Sequence, residues 1–271
     1  STIDCSIHNT TKGRTFFMTL PPKSDKKQIK KIYAVGSGKG GVGKSSVTSL
    51  LAIAAARQGK RVGILDADIT GPSIPTFFGL HTFPFGNAEG IEPPASRSGI
   101  RVISMNLLLD DPTKPVIWRG PLLGNAVTQF FNDVQWGELD VLFVDLPPGT
   151  ADAVLTVMQT IPLDGFLLVT SPQELASLVV RKAAKMAEML DIPLVGVVEN
   201  MSSLRCPHCG ERIELFGGSH AEALINDVKA TFWGSLPLDT EMAALGDEGH
   251  LEEYTNAEVF SVLEKGLANL L

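Results

Sequence analysis

Val35-Gly36-Ser37-Gly38-Lys39-Gly40-Gly41-Val42-Gly43-Lys44-Ser45-Ser46 decides how this chain reads. An apolar run over residues 32–35 enters the stretch, and an alanine- and leucine-rich helical pattern leaves it. Gly38, Gly43, Lys44 and Ser45 keep the spacing of a phosphate-binding loop set between a strand and a helix. Glycines let the backbone turn sharply, so that successive N–H groups converge on phosphate oxygens. The following helix contributes its positive N-terminal end. Such a loop puts Lys44 on the terminal phosphates and the Ser45 hydroxyl on Mg2+, with Gly40, Gly41, Val42 and Ser46 completing the cradle. Lys39 adds a second cation among small residues, with polyphosphate as the obvious charge for it to meet.

Outward from the loop, short apolar runs alternate with longer helical patterns. A helix is expected over 44–58, then a turn at Gly59-Lys60 and a strand over 61–65 that ends at Asp66-Ala67-Asp68. Residues 69–99 are loop-rich, with Pro72, Pro75, Pro84, Pro93 and Pro94; Phe77, Phe78, Phe83 and Phe85 are expected to pack that loop onto the body. Further strands are expected over 100–105, 141–145, 165–171, 194–198 and 231–236. Helices are expected over 122–131, 218–227, 239–248 and 257–270, with Pro121 suited to a first helical position. After residue 171, Leu175, Leu178, Val179, Met186 and Leu190 fall at helical spacing and read as one core-facing side. Strands apolar on both faces and joined by crossovers predict an α/β fold, a predominantly parallel sheet with helices on both faces. Residues 1–30 read as a flexible or partly ordered N-terminal segment, with a short strand over 16–20 and an incomplete Cys5/His8 ligand pair. Residues 31–271 read as the nucleotide-binding domain, interrupted around 202–216 by a small cysteine-bearing insertion.

Composition narrows the function classes. With 271 residues, 44% of them hydrophobic, the chain can bury one substantial core. A formal net charge of -7 argues against nucleic acid as a partner, and no apolar stretch is long enough to suggest a membrane span. Three cysteines make no disulfide framework, which suits a cytoplasmic, reducing setting.

Nucleotide hydrolysis needs acids as well as a loop. Asp145 closes a hydrophobic strand and is the best candidate to organise Mg2+, while the Gly149 N–H is a candidate donor to the terminal phosphate. Asp66 and Asp68 close another strand, and carboxylates two apart can divide the work. Asp66 is assigned to the metal shell and Asp68 to orienting the attacking water, with strand and helix capping as the bland alternative for both.

Taken together, Gly38-Lys39-Gly40-Gly41-Val42-Gly43-Lys44-Ser45 resembles the deviant-Walker P-loop ATPases, the group of nitrogenase iron protein, MinD and ParA. Within it the chain is most similar to the Mrp/ApbC iron–sulfur cluster carriers. The residues that carry this likeness are Asp66-Ala67-Asp68-Ile69-Thr70-Gly71-Pro72-Ser73, Trp118-Arg119-Gly120-Pro121, Asp145-Leu146-Pro147-Pro148-Gly149-Thr150, Glu199-Asn200-Met201 and Cys206-Pro207-His208-Cys209-Gly210. The resemblance implies a Mg2+-dependent ATPase in which Lys39 crosses a homodimer to the partner's phosphates and catalysis rests on Lys39, Lys44 and Asp68. It implies one switch running from Asp68 to Ser73 and another starting at Asp145. It also implies adenine recognition by Asn200, with Pro237 and Leu238 lining the base.

Cys206 and Cys209 supply two soft ligands where closed zinc or iron–sulfur sites commonly take four. Two copies about a twofold axis would supply four. In the resembling family such a pair holds a labile bridging [4Fe-4S] cluster, passed from cluster donors to apo-protein recipients; zinc can take the same thiolates in purified protein. Thiol–disulfide chemistry would want a helix after the first cysteine, and Gly210-Glu211-Arg212-Ile213-Glu214-Leu215 reads instead as a turn and short strand. The alternative of a different class is a nucleotide-switched positioning or partitioning protein with a structural zinc site.

Overall fold

The computed structural model describes residues 28–68, 73–81, 84–87, 90–104, 120–150, 152–173, 178–206, 208–216, 225, 228 and 230–271. Strand β1 (Ile29–Ser37) runs into the glycine-rich loop, and α1 (Lys44–Arg57) leaves it for β2 (Val62–Asp66). Next come α2 (Ile74–Phe77), β3 (Phe85–Asn87), β4 (Gly90–Glu92), β5 (Arg101–Ser104), α3 (Gly120–Asp133), β6 (Leu139–Asp145) and α4 (Asp152–Thr160). The second half holds β7 (Gly165–Thr170), α5 (Leu178–Met189), β8 (Leu194–Glu199), β9 (Leu204–Arg205), β10 (Arg212–Ile213) and β11 (Phe232–Ser235). Helices α6 (Thr240–Asp247) and α7 (Ala257–Leu267) close the chain.

Among the described residues, seven strands form one sheet in the order β11-β8-β7-β1-β6-β2-β5, and every neighbouring pair is parallel. Alternate residues of the central strands enter two separate cores. Ile32, Ala34, Leu142, Val144 and Leu168 pack on one face with Phe131, Val157 and Val180. Tyr33, Val35, Val141, Phe143 and Leu167 pack on the other with Leu50, Leu51, Phe260 and Leu263. A strand buried on both faces has no polar side to alternate with, which is why these segments are continuous apolar runs. Helix α1 is buried from Val47 to Ala55 and ends at Gly59, whose φ of 75° completes the turn into β2.

The structure departs from the sequence reading in two places. Within 69–99 the chain forms a small antiparallel hairpin, pairing Phe85 with Glu92 and Asn87 with Gly90. Helix α5 buries Met186 and packs Leu190 on the core as expected, but Leu178 is 66% exposed and Val180, Ala183 and Ala187 are buried instead, while Leu175 and the side chain of Val179 lie outside what is described. Successive helical residues are ~100° apart, so Leu178 stands ~200° from Val180 and the two cannot share a face. Phe78 is buried and Phe77 packs against the same core. The expected strand over 16–20, Cys5, His8, Trp118, Arg119, residues 69–72, Phe83, the side chain of Phe85 and most of 218–227 lie outside what is described.

Candidate functional site

Parallel β1, β2 and β6 end side by side, and their register sets the site. Asp145 lies opposite Val35 on one side and opposite Asp66 on the other. The glycine-rich loop rises from the end of β1 at the same sheet edge, where ligand sites of open parallel sheets form. Gly41 and Gly43 take the left-handed conformation, with φ of 84° and 76°. A Cβ at Gly41 would meet nothing, so conformation alone requires glycine there. At Gly43 space matters too: a Cβ would come within 2.2 Å of Asn200 Nδ2. Ser37 Oγ donates to the Lys39 carbonyl at 2.8 Å, pinning the near side of the loop. Lys39, Gly40 and Gly41 are exposed, Gly38 and Val42 are buried, and Ser46 is half-buried.

Asp145 is fully buried and accepts three hydrogen bonds from the start of α1. Lys44 Nζ donates at 2.7 Å and Ser45 Oγ at 2.6 Å to Oδ2, and Thr48 Oγ1 donates at 2.8 Å to Oδ1. Donors on both oxygens fix the orientation of the carboxylate between the loop and the helix. Thr48 is a site residue that the sequence reading missed. Its signal was present, since Thr48 follows Lys44 by one helical turn and so shares its face.

Asp66 is equally buried but poorly served. Its Oδ1 accepts from the Asp68 N–H at 3.1 Å, while Oδ2 has no hydrogen-bond partner among the described residues. Burial, and then the neighbouring charge of Asp145, push its pKa well above the ordinary carboxylate range; Lys44 pulls the other way. The half-buried Asp68 follows directly beyond β2. Asp66 keeps its orphaned oxygen opposite Asp145, which itself holds the Ser45 hydroxyl; carboxylate and hydroxyl oxygens are the donors a hard divalent cation takes, so these residues fit Mg2+. The loop after β6 leans on the glycine-rich loop: the Gly149 N–H, at a residue with φ of 90°, donates to the Ser37 carbonyl at 3.2 Å.

Asn200 closes the other side. Its N–H bonds the Thr170 carbonyl at 2.7 Å, and its Nδ2 donates to the Val42 carbonyl inside the loop at 2.9 Å. The next residue, Met201, takes a left-handed φ of 59° that redirects the chain. Parallel pairing with the end of β11 then continues past the sheet. The Leu236 N–H donates to Glu199 O at 2.7 Å, Ser202 donates from N and Oγ to Leu236 O at 3.0 Å, and the Leu238 N–H donates to Ser203 O at 2.7 Å. Leu204 and Leu238 form a final parallel bridge. Glu199, fully buried, accepts from the Ser235 hydroxyl. Buried Pro237 and half-buried Leu238 therefore lie on the same ladder as Asn200.

That ladder ends in the cysteine hairpin. Strands β9 and β10 pair Arg205 with Arg212, the Cys206 N–H bonds Glu211 O at 2.8 Å, and Gly210, with φ of 73°, returns its N–H to Cys206 O at 2.9 Å. The backbone N–H groups of Cys209 and His208 point at the Cys206 sulfur and, with the Cys209 side chain, lower the pKa of its thiol. N–H groups aimed at sulfur favour thiolate, the form that ligates metal. Cys206 is half-buried; Cys209 and His208 are exposed. Arg205 and Arg212 both reach Glu258 at the start of α7, at 3.0 and 3.6 Å. Among the described residues, no three His, Cys, Asp or Glu side chains gather as a metal site, so the hairpin offers two thiols. The structure brings Lys44, Ser45, Asp66 and Asp145 together, with Asp68 beside them, and sets Cys206 and Cys209 apart on their own hairpin.

The family model described as ParA, NUBPL iron-transfer P-loop NTPase, matches residues 28–270. An iron-sulfur cluster carrier protein of Methanocaldococcus jannaschii is 46% identical over 224 residues, covering 82% of this chain and 77% of that protein. Another from Clostridium perfringens is 41% identical over 248 residues, covering 88% and 87%. Among solved structures, a nucleotide-binding protein from Archaeoglobus fulgidus in complex with ADP is similar with a TM-score of 0.76 and 46% identity, covering 85% of this chain and 90% of that one. The cell division ATPase MinD of Pyrococcus furiosus, at 19% identity, has a TM-score of 0.64 over 89% of this chain and 100% of its own, a likeness of fold.

Proposed function

Because this chain belongs to the ParA-type NUBPL iron-transfer P-loop NTPase family, we propose that it is an ATP-hydrolysing iron–sulfur cluster carrier. It holds a labile [4Fe-4S] cluster on Cys206 and Cys209 of two copies and delivers it to apo-protein recipients. The observation that carries this reading is the ladder from Asn200 to Cys206, which sets a thiolate-ready hairpin six residues from the nucleotide loop's own hydrogen-bond partner. The names of the related carriers support the cargo.

In this reading Lys44 and the loop N–H groups balance phosphate charge, and Lys39 reaches across the twofold axis to complete the partner's site. Ser45, Asp66 and Asp145 would hold Mg2+, which supplies charge neutralisation at the phosphates. Asp145 keeps Lys44 and Ser45 aimed through the bonds described above. Asp68 orients water toward the terminal phosphate. Asn200, Pro237 and Leu238 receive the base. Two exposed or half-exposed thiols suit the reducing cytoplasm.

Anaerobic reconstitution tests the cargo. Wild-type protein should bind iron and sulfide in a ratio of one cluster per two chains and pass it to an apo-acceptor, with Mg-ATP altering the rate. C206A/C209A should fold, hydrolyse ATP and bind no cluster. Wild-type cluster content in that variant would reject the ligand pair.

A further inference from the structure

Five large apolar side chains stand exposed among the described residues, and three of them, Ile213, Leu215 and Phe216, follow directly after the thiol pair at 43, 39 and 43% exposure. Ile213 belongs to β10, paired with Leu204 across from the strand that delivers Cys206. The hairpin that carries them is no loose flap. It is clamped by Arg205 and Arg212 to Glu258 and is continuous with the β8–β11 ladder through Leu204 and Leu238. Apolar groups presented on a braced hairpin beside an incomplete ligand set call for an occupant that supplies both apolar surface and ligands.

We propose that Ile213, Leu215 and Phe216 form an apolar collar that meets the same residues of a second copy, enclosing the thiolates of both hairpins, and that this contact stands only while cargo is bound. The inference rests on the carrier reading and adds to it the surface and the condition of its assembly. A second copy is the occupant because it is what completes the thiolate set: two thiols per hairpin leave the site half-made. A twofold axis that brings the thiols together brings six collar side chains together with them. The area sets the condition. Three side chains about two-fifths exposed offer on the order of 200 Å2 per chain, whereas a standing interface needs about 1,000 Å2 in total. The collar is too small to hold two chains alone, so the thiolate–iron bonds must supply the remainder, and release of the cluster dissolves the contact. While assembled, the collar withholds water and chelators from the cluster, as an apolar shell does around any metal centre.

The test uses full-length protein without nucleotide, under anaerobic conditions, with iron and sulfide loading followed by light scattering and loss of the cluster absorbance to an iron chelator. Wild type should be dimeric when loaded and monomeric when stripped. I213S/F216S should keep wild-type circular dichroism and ATP hydrolysis but lose its cluster at least about tenfold faster and run as monomer after loading. F216L, which keeps the apolar area, should retain the wild-type lifetime. A wild-type lifetime in I213S/F216S, a stripped wild-type protein that stays dimeric through this face, or a loaded chain that dimerises with an apo-acceptor instead of itself would each overturn the collar while leaving the thiol ligands standing. A cluster retained by C206A/C209A would instead bring down the carrier reading beneath it.

Discussion

At the residue scale, the site is governed by the unequal treatment of two buried acids. Asp145 receives a lysine and two hydroxyls, while Asp66 receives one backbone N–H and keeps a bare oxygen. Burial and Asp145 raise the pKa of Asp66 in the folded protein above its value in the unfolded chain. The folded state therefore binds more protons, and stability falls as pH rises from about 4 through the raised folded value. Asp66→Asn removes that penalty. Thermal unfolding of the nucleotide-free protein at neutral pH should shift up by about 2–4 °C, corresponding to ~1 kcal/mol. The gain should vanish as the pH approaches 4, and Mg-ATP hydrolysis should be lost. Unchanged melting across that range would contradict the assignment. Gly43→Ala combines a left-handed strain of about 1–2 kcal/mol with a collision against Asn200, 2.2 Å from the added carbon. Isothermal titration should show nucleotide affinity down by at least about tenfold, with the secondary structure intact.

The loop, its lysine and the strand-end acids were legible as sequence because each is a short-range pattern: glycine spacing, an apolar run, a carboxylate at its end. At the element scale that legibility declines. On α5, Met186 and Leu190 meet the core as their spacing predicts, whereas Leu178, equally apolar, opens the helix on its exposed side. The continuation of the β8–β11 ladder to the cysteine hairpin left no sequence signal, since its bonds join residues more than thirty apart, such as Ser202 to Leu236. That extension makes Glu258 the outer brace of the hairpin. Its two arginine pairs are exposed and contribute little to global stability. Glu258→Gln should leave the melting temperature nearly unchanged while speeding hydrogen exchange at the Cys206 and Gly210 amides several-fold, a local opening. Equal exchange in the two proteins would show that the ladder alone braces the hairpin.

At the scale of the whole molecule, the nucleotide edge and the thiol hairpin are two ends of one sheet-derived frame, and the proposed carrier works as a pair. Lys39 is exposed on the loop's surface, where a side chain can reach beyond its own subunit. Lys39→Ala should abolish nucleotide-dependent dimerisation in sedimentation and lower ATP hydrolysis by at least about tenfold, since a cation crossing to a partner's phosphates is worth 10³ or more in related chemistry. Full hydrolysis with intact dimerisation would remove the cross-subunit role. By itself the sequence determined the alternation of strand and helix, the phosphate loop and the two cysteines, because periodicity, glycine spacing and ligand type are written in neighbouring residues. Only the tertiary structure decided that Asp66 keeps an orphaned oxygen, that Thr48 joins the site, and that the hairpin is tied to the ladder bearing Asn200. Those depend on burial and on bonds between segments far apart in the chain, which no local pattern of residues encodes.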